Sequence, residues 1–237
     1  MEDDFTTDLE YGYRVIQPGD YATIKSLHEE FFPVRYSDKF FRDACVGIGF
    51  RGGELFTCLC VLKASQEVVG FLLAQLLPEH ENEDPGLLGS SSVASLHSHS
   101  LVCYILTLGV KDAQRRTGLG SVLLQRCITF AESNRHCGAV YLHVIHNNPS
   151  AIAFYKRNGF LHLRTLRGFY MIAGQQQTAL LLILYVNSYP PPLWYRLFTG
   201  WSRAVDGLLS FFGLSPAPPP PLSLPASASP PAAESAV

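Results

Sequence analysis

The run Gln114-Arg115-Arg116-Thr117-Gly118-Leu119-Gly120 holds the residue types needed to grip a diphosphate. Unpaired N–H groups at a helix entrance attract anions, and glycines let the main chain approach one closely. Arg115 and Arg116 add local positive charge to a chain whose 18 Lys and Arg are outnumbered by 20 Asp and Glu. The run has neither the GxGxxG spacing of a dinucleotide fold nor the Lys-Ser/Thr ending of a Walker loop, so it points to another phosphate-bearing ligand. Cys103 and Cys137 are available nucleophiles. No base motif activates either, which favours a group transfer without a covalent enzyme intermediate. His97 and His99 are weak evidence for a metal, and none is expected.

The elements that must position these residues are legible as patterns. Residues 13–17 predict a short strand, and Pro18-Gly19-Asp20 punctuates it before a helix carrying Ile24, Leu27, His28 and Phe31. Pro33 cannot sit inside that helix, so residues 32–36 form an ordered loop ahead of a short helix at 38–45. Strands are predicted at 55–62 and 67–77, joined by the polar turn 63–66. The acidic, then Gly- and Ser-rich stretch 79–100 is read as a long mobile connection. A strand at 101–110, a helix at 118–134 and a strand at 139–145 follow. Asn148-Pro149 starts another helix through Ile152, Phe154 and Tyr155, which Gly159 closes. Strands at 160–164 and 178–187 complete a mixed α/β sheet flanked by helices.

Composition sets the limits. The 237 residues suffice for one substantial core, and 47% of them are apolar. A formal charge of -2 gives no general field for a nucleic-acid backbone, so no nucleic-acid partner is expected. The six cysteines form no CxxC pair and are expected to be reduced thiols in a cytosol-facing compartment. The acidic start lacks a leader pattern, and no 18-residue apolar run predicts a spanning helix. The expected organisation is a flexible start at 1–12, a domain at 13–190, an amphipathic segment at 191–214 and a disordered Pro, Ala and Ser tail at 215–237. Drawn as one helix, 193–212 gathers Trp194, Phe198, Trp201 and Phe212 on one side and Arg196, Arg203 and Asp206 on the other. Such a stripe suits a bilayer surface; packing on the domain or binding a partner is the alternative.

Several of these runs together resemble one family. Leu108-Gly109-Val110, then Arg115-x-x-Gly118-x-Gly120, then Leu142-His143-Val144 and Asn148 to Tyr155 are similar to the GNAT acetyltransferase superfamily over 13–187. The resemblance implies a mostly antiparallel sheet and acetyl-CoA as cosubstrate. It implies cofactor contacts from Leu108, Val110, Arg115, Arg116, Gly118, Gly120, Asn148 and Tyr155, with Tyr155 donating to the leaving thiolate. The runs Phe32-Pro33-Val34-Arg35-Tyr36, Tyr104 to Val110, Tyr141 to Val144 and Gly168-Phe169-Tyr170 further resemble N-terminal acetyltransferases of the membrane-associated NatF type.

That resemblance implies Tyr104 and His143 as bases, with imidazole the better matched to a protein α-amino group of reference pKa near 8. It implies Phe32, Pro33, Tyr36 and Tyr170 as walls for an initiator Met followed by an apolar residue. Arg35 departs from the acidic residue of animal NatF-type loops, so contacts that need that carboxylate do not transfer. The implied partners are protein N-termini, especially of membrane proteins, and a membrane surface through 193–212, with the protein a monomer at the cytosolic face of the Golgi or at the plasma membrane. Two other readings stay open: a lysine acetyltransferase of the histone type, and a noncatalytic acyl-CoA-binding membrane adaptor.

Overall fold

A computed structural model describes residues 10–49, 54–84, 86–88 and 100–191. His97, His99, the stripe 193–212 and the tail 215–237 lie outside the described residues. The elements run β1 (Tyr11–Arg14), α1 (Tyr21–Phe31), α2 (Asp38–Cys45), β2 (Leu55–Leu62), β3 (Val68–Pro78), β4 (Leu101–Val110), α3 (Leu119–Ser133), β5 (Cys137–Ile145), α4 (Pro149–Arg157), β6 (Leu161–Ile172) and β7 (Gln175–Tyr185). They build one seven-stranded sheet in the order β1-β2-β3-β4-β5-β7-β6. Every neighbouring pair is antiparallel except β4 with β5.

Two apolar layers cover the sheet. α3 lays Leu123, Leu124, Cys127 and Ile128 against Cys60, Leu72, Cys103 and Val140. On another cluster, Ile24 and Leu27 of α1 and Phe41 of α2 meet Leu59, Phe71 and Leu73. All six cysteines are buried and unbridged. Among the described residues no helix is long and apolar enough to cross a membrane.

Three expectations shift. The first strand starts two residues before the expected 13–17 and ends three residues before it, because the chain leaves the sheet at a capped turn. Asp20 accepts the Gln17 N–H at 2.8 Å and a forked ion pair from Arg14 at 2.6 and 2.8 Å. The last two strands are longer than 160–164 and 178–187 and meet at Ala173-Gly174, both at positive φ, as a two-residue hairpin requires. Their outer ends are half exposed and carry Gln175, Gln176 and Gln177, so apolar alternation is missing there.

The third shift concerns the connection after β3, whose start is built into the fold rather than mobile. Leu87 and Leu88 are buried against Leu77, Val102, Ala139 and Ile183. The Tyr185 hydroxyl donates to the Leu87 carbonyl at 3.2 Å, and the Tyr189 hydroxyl donates to that of Leu88. Gly138 leaves the space: a Cβ there would stand 2.8 Å from a Leu88 methyl. An acidic, Gly-rich composition gives no sign of two leucines serving as anchors.

Candidate active site

The site begins where the sheet opens. β4 and β5 pair in parallel only from Leu101 with Cys137 to Tyr104 with Tyr141. Beyond that point β4 stays on β3 and β5 stays on β7, so the two strands diverge. A bulge between Leu73 and Ala74 of β3 marks the register break opposite Ile105 to Thr107. Residues 105–110 and 142–145 line the resulting cleft of about 790 Å³, a volume within the usual range for ligand sites.

At one end stands the entrance of α3. Gly118 is its N-cap at φ +94°, a left-handed conformation that favours glycine, and no side chain caps the helix. No neighbouring atom lies within 4 Å of where a Gly118 Cβ would point, so the first N–H groups of α3 can be approached closely. Arg115, Arg116, Gly118 and Gly120 all line the cleft. Arg115 also shapes the turn, donating to the Val110 carbonyl at 3.0 Å and pairing with Asp112 at 2.8 Å. Arg116, at φ +67°, makes neither contact and is the freer cation.

α4 enters from the opposite wall. The Asn148 side-chain oxygen accepts the Ala151 N–H at 3.1 Å, which caps the helix and leaves the Asn148 amide N–H₂ for a ligand. Leu108, Asn148, Phe154 and Tyr155 line the middle of the cleft. Burial holds the Tyr155 phenol well above its ordinary pKa, so its proton stays in place. A thiol ionises near pH 8.5, so Tyr155 is suited to donate a hydrogen bond to a thiolate without surrendering its proton.

The other end is aromatic. Tyr104 of β4 and Tyr141 of β5 are register partners with rings 4.8 Å apart, and His143 follows Tyr141 by two residues on the same face. The Tyr104 hydroxyl lies 3.1 Å from His143 Nδ1. His143 lines the cleft, whereas Tyr104 is not part of the wall and stands against His143. Desolvation, then the neighbouring Tyr36 and Tyr170, hold the Tyr104 phenol well above its ordinary pKa. Tyr104 therefore keeps its proton at rest and shares a hydrogen bond with the imidazole rather than standing as a phenolate base.

Phe32, Pro33 and Tyr36, from the α1–α2 loop, close this end together with Tyr170 of β6. Burial pushes the Tyr36 phenol up to about 12 and raises that of Tyr170. His28 lies behind them, 1% exposed, its ring against Phe32, Tyr36 and Phe41. Burial, aided by the Arg35 charge, lowers its pKa to about 4, so it is a neutral part of the wall. Among the described residues no Asp or Glu lines the cleft.

Sequence reasoning missed two members of the site. Phe169 lies over the imidazole of His143 with centroids 4.2 Å apart. Asp84 brings a carboxylate oxygen within 3.0 Å of His143 Nε2, with both side chains 4% exposed. Neither was placed at the site from sequence, because Asp84 sits in an acidic loop and Phe169 is one of two adjacent aromatics with Tyr170. Cys103 and Cys137 lie outside the cleft wall. A hydrogen bond with Cys127 and then burial raise the Cys103 thiol, and burial pushes Cys137 up to about 12, so neither is a ready nucleophile.

Residues 21–160 match the Acetyltransferase (GNAT) family. N-alpha-acetyltransferase 60 of Xenopus tropicalis is 33% identical over 177 residues, covering 73% of this chain and 69% of that protein. Histone acetyltransferase MCC1 of Arabidopsis thaliana is 32% identical over 180 residues, covering 76% and 72%. The solved structure of Arabidopsis thaliana NAA60 in complex with acetyl-CoA superposes with a TM-score of 0.66 at 32% identity, over 75% of this chain and 99% of that one. The opened β4–β5 pair, the glycine-lined helix entrance and these likenesses agree, and the chain belongs to the acetyltransferase (GNAT) family.

Proposed function

We propose that the protein transfers the acetyl group of acetyl-CoA directly to the α-amino group of protein N-termini, preferring an initiator Met followed by an apolar residue. Enzymatic Nα-acetyl transfer from acetyl-CoA rests on family membership and on the named relatives. The observation that carries the mechanism is the pairing of His143 with Tyr104 at one end of a cleft whose other end is the uncapped start of α3.

The α3 entrance, with Arg116, suits the diphosphate of the cosubstrate, and the chain's apolar walls guide the acyl end along the gap between β4 and β5. The amine gives its proton to the Tyr104–His143 pair as the new C–N bond forms: the Tyr104 oxygen takes it while the Tyr104 hydroxyl proton passes to His143 Nδ1. β4 main-chain N–H groups on the side facing β5 are free of sheet partners beyond Tyr104 and can stabilise the oxygen that gains charge. The C–S bond breaks, and Tyr155 donates a hydrogen bond to the departing sulfur.

The acceptor preference draws on the wall chemistry. Phe32, Pro33, Tyr36 and Tyr170 offer apolar surface for a Met side chain. Among the described residues no Asp or Glu forms part of the cleft wall, so a lysine ammonium, whose pKa near 10.4 keeps it charged, meets no carboxylate at that surface. The likeness to a protein named as a histone acetyltransferase keeps the lysine reading as the rival. Incubation with acetyl-CoA and a library of free N-terminal peptides alongside internal-lysine peptides, read by mass spectrometry, separates them. Met-Leu peptides are expected to gain one acetyl group at the α-nitrogen; modification of lysine alone would reverse the assignment.

We also propose peripheral attachment to the cytosolic face of the Golgi or plasma membrane through 193–212, a reading supported by the apolar stripe alone. Deleting that segment is expected to move the protein from the membrane pellet to the soluble fraction. Retention in the pellet would remove the assignment.

A further inference from the structure

We infer that His28 is a specificity-determining residue of the acceptor site: its ring N–H donates to the thioether sulfur of an acceptor's first residue, so that methionine is selected over a hydrocarbon side chain of the same length. The inference deepens the proposed function and rests on its reading that the first residue enters the aromatic end of the cleft. Proton transfer through His143 and Tyr104 leaves a second imidazole unused. His28 is 1% exposed, and among the described residues neither of its ring nitrogens has a hydrogen-bond partner, yet it lines the cleft.

His28 stands in the last turn of α1, where its main-chain carbonyl accepts the Phe32 N–H at 2.9 Å. Spacings of three and four residues put it on one helix face with Phe31 and Phe32. The rings of Phe32, Tyr36 and Phe41, with centroids at 4.8, 4.9 and 5.3 Å, hold it in place. A phenylalanine would fill this aromatic cluster without leaving two buried polar atoms unmet, so packing alone gives no reason for an imidazole. Thr107 is an independent sign of a polar recess. It is 4% exposed, its hydroxyl has no partner among the described residues, and it lines the same cleft. Two residues before Gly109 on β4, it shares the strand face over which Phe31 lies, so both unmet groups belong to the α1 side of the cleft.

Burial and the Arg35 charge keep the ring neutral, so near pH 7 it offers one N–H and one lone pair. An unmet N–H in an apolar wall selects a guest that is apolar along its length and carries one soft acceptor. Methionine meets both conditions, with a flexible hydrocarbon chain and a sulfur that accepts weakly. A charged side chain would lose its water against Phe32, Pro33, Tyr36 and Tyr170. The other ring nitrogen and the Thr107 hydroxyl face a cleft wide enough to hold water beside the guest. The sulfur contact also sets the sign of a preference that the wall by itself reverses. A purely apolar pocket favours norleucine, in which a CH₂ group replaces the sulfur and leaves water more readily.

The test gives the full chain acetyl-CoA and two peptides that differ only at the first residue, one starting Met-Leu and the other norleucine-Leu. Wild type is expected to prefer the Met peptide by about three- to tenfold in kcat/KM, the range of one modest hydrogen bond. His28→Phe keeps a ring against Phe32, Tyr36 and Phe41 and removes the N–H. It is expected to bring the ratio to one or below by slowing the Met peptide, with the KM for acetyl-CoA unchanged and the melting temperature held or raised. A wild type that favours norleucine or treats the two alike overturns the inference without any variant, and so does a His28→Phe enzyme that keeps the wild-type ratio. If wild type acetylates neither peptide, the proposed function falls and the inference falls with it. Efficient acetylation of both at equal rates removes the role of His28 alone.

Discussion

His143→Ala is expected to lower kcat for a Met-Leu peptide by about 10²- to 10⁴-fold, the usual loss when a positioned proton acceptor is removed. Acetyl-CoA affinity is expected to survive, because the α3 entrance and the Asn148 cap lie apart from the His143 pocket. A second effect should accompany the first. The substitution leaves the Asp84 carboxylate buried without the imidazole beside it, which is expected to lower the melting temperature. Adding Asp84→Asn to His143→Ala should therefore restore much of the melting temperature while activity stays low. Steady-state kinetics, isothermal titration with acetyl-CoA and thermal melts separate the two losses. A His143→Ala enzyme within threefold of wild-type kcat would mean that the amine loses its proton elsewhere.

Gly109→Ala is expected to be the most damaging single methyl addition in the cleft wall. Gly109 pairs with Phe71, and the Phe31 ring stacks on Phe71 at 5.8 Å, lying over the glycine. A Cβ on residue 109 would stand 3.0 Å from Phe31 Cε2 and closer still to Cδ2. The ring has little room to yield, since Phe71 is fully buried and Phe32 packs edge-on against both. Overpacking of this kind costs about 3 kcal/mol, or a fall in melting temperature of roughly 6–12 °C for a domain of this size. Phe31 ends α1 and the acceptor loop starts at Phe32, so a displaced ring should also raise the KM for the peptide. Gly120→Ala is the contrast: its Cβ would meet Phe154 at an ordinary 3.5 Å, and the melting temperature is expected to hold or rise. Equal melting temperatures and peptide KM values for wild type and Gly109→Ala would remove Phe31 as the brace of the loop.

Much of the scaffold was legible because local rules agree with the fold. α2 and the strands Leu55–Leu62 and Leu101–Val110 start and stop where capping, turn residues and apolar runs predict. Asn148-Pro149 opens α4 through a side-chain cap visible in the residue types alone. Legibility ended where a neighbour distant in sequence sets the conformation. The strand expected at 13–17 was cut short by Asp20, and the final hairpin turns at an alanine that no turn rule would choose.

The amino-acid sequence by itself determined the glycine-containing turn before α3, the helix caps and the alternation of strands and helices, because each depends on residues within about one helical turn of one another. Only the tertiary structure decided that β4 and β5 part after Tyr104, that Tyr104 stands against His143 outside the cleft wall, and that Asp84 reaches the ring from a loop 59 residues away in the chain. Those arrangements arise from packing between distant segments, and a buried charge or an unpaired strand edge has no local signature before the chain is folded around it.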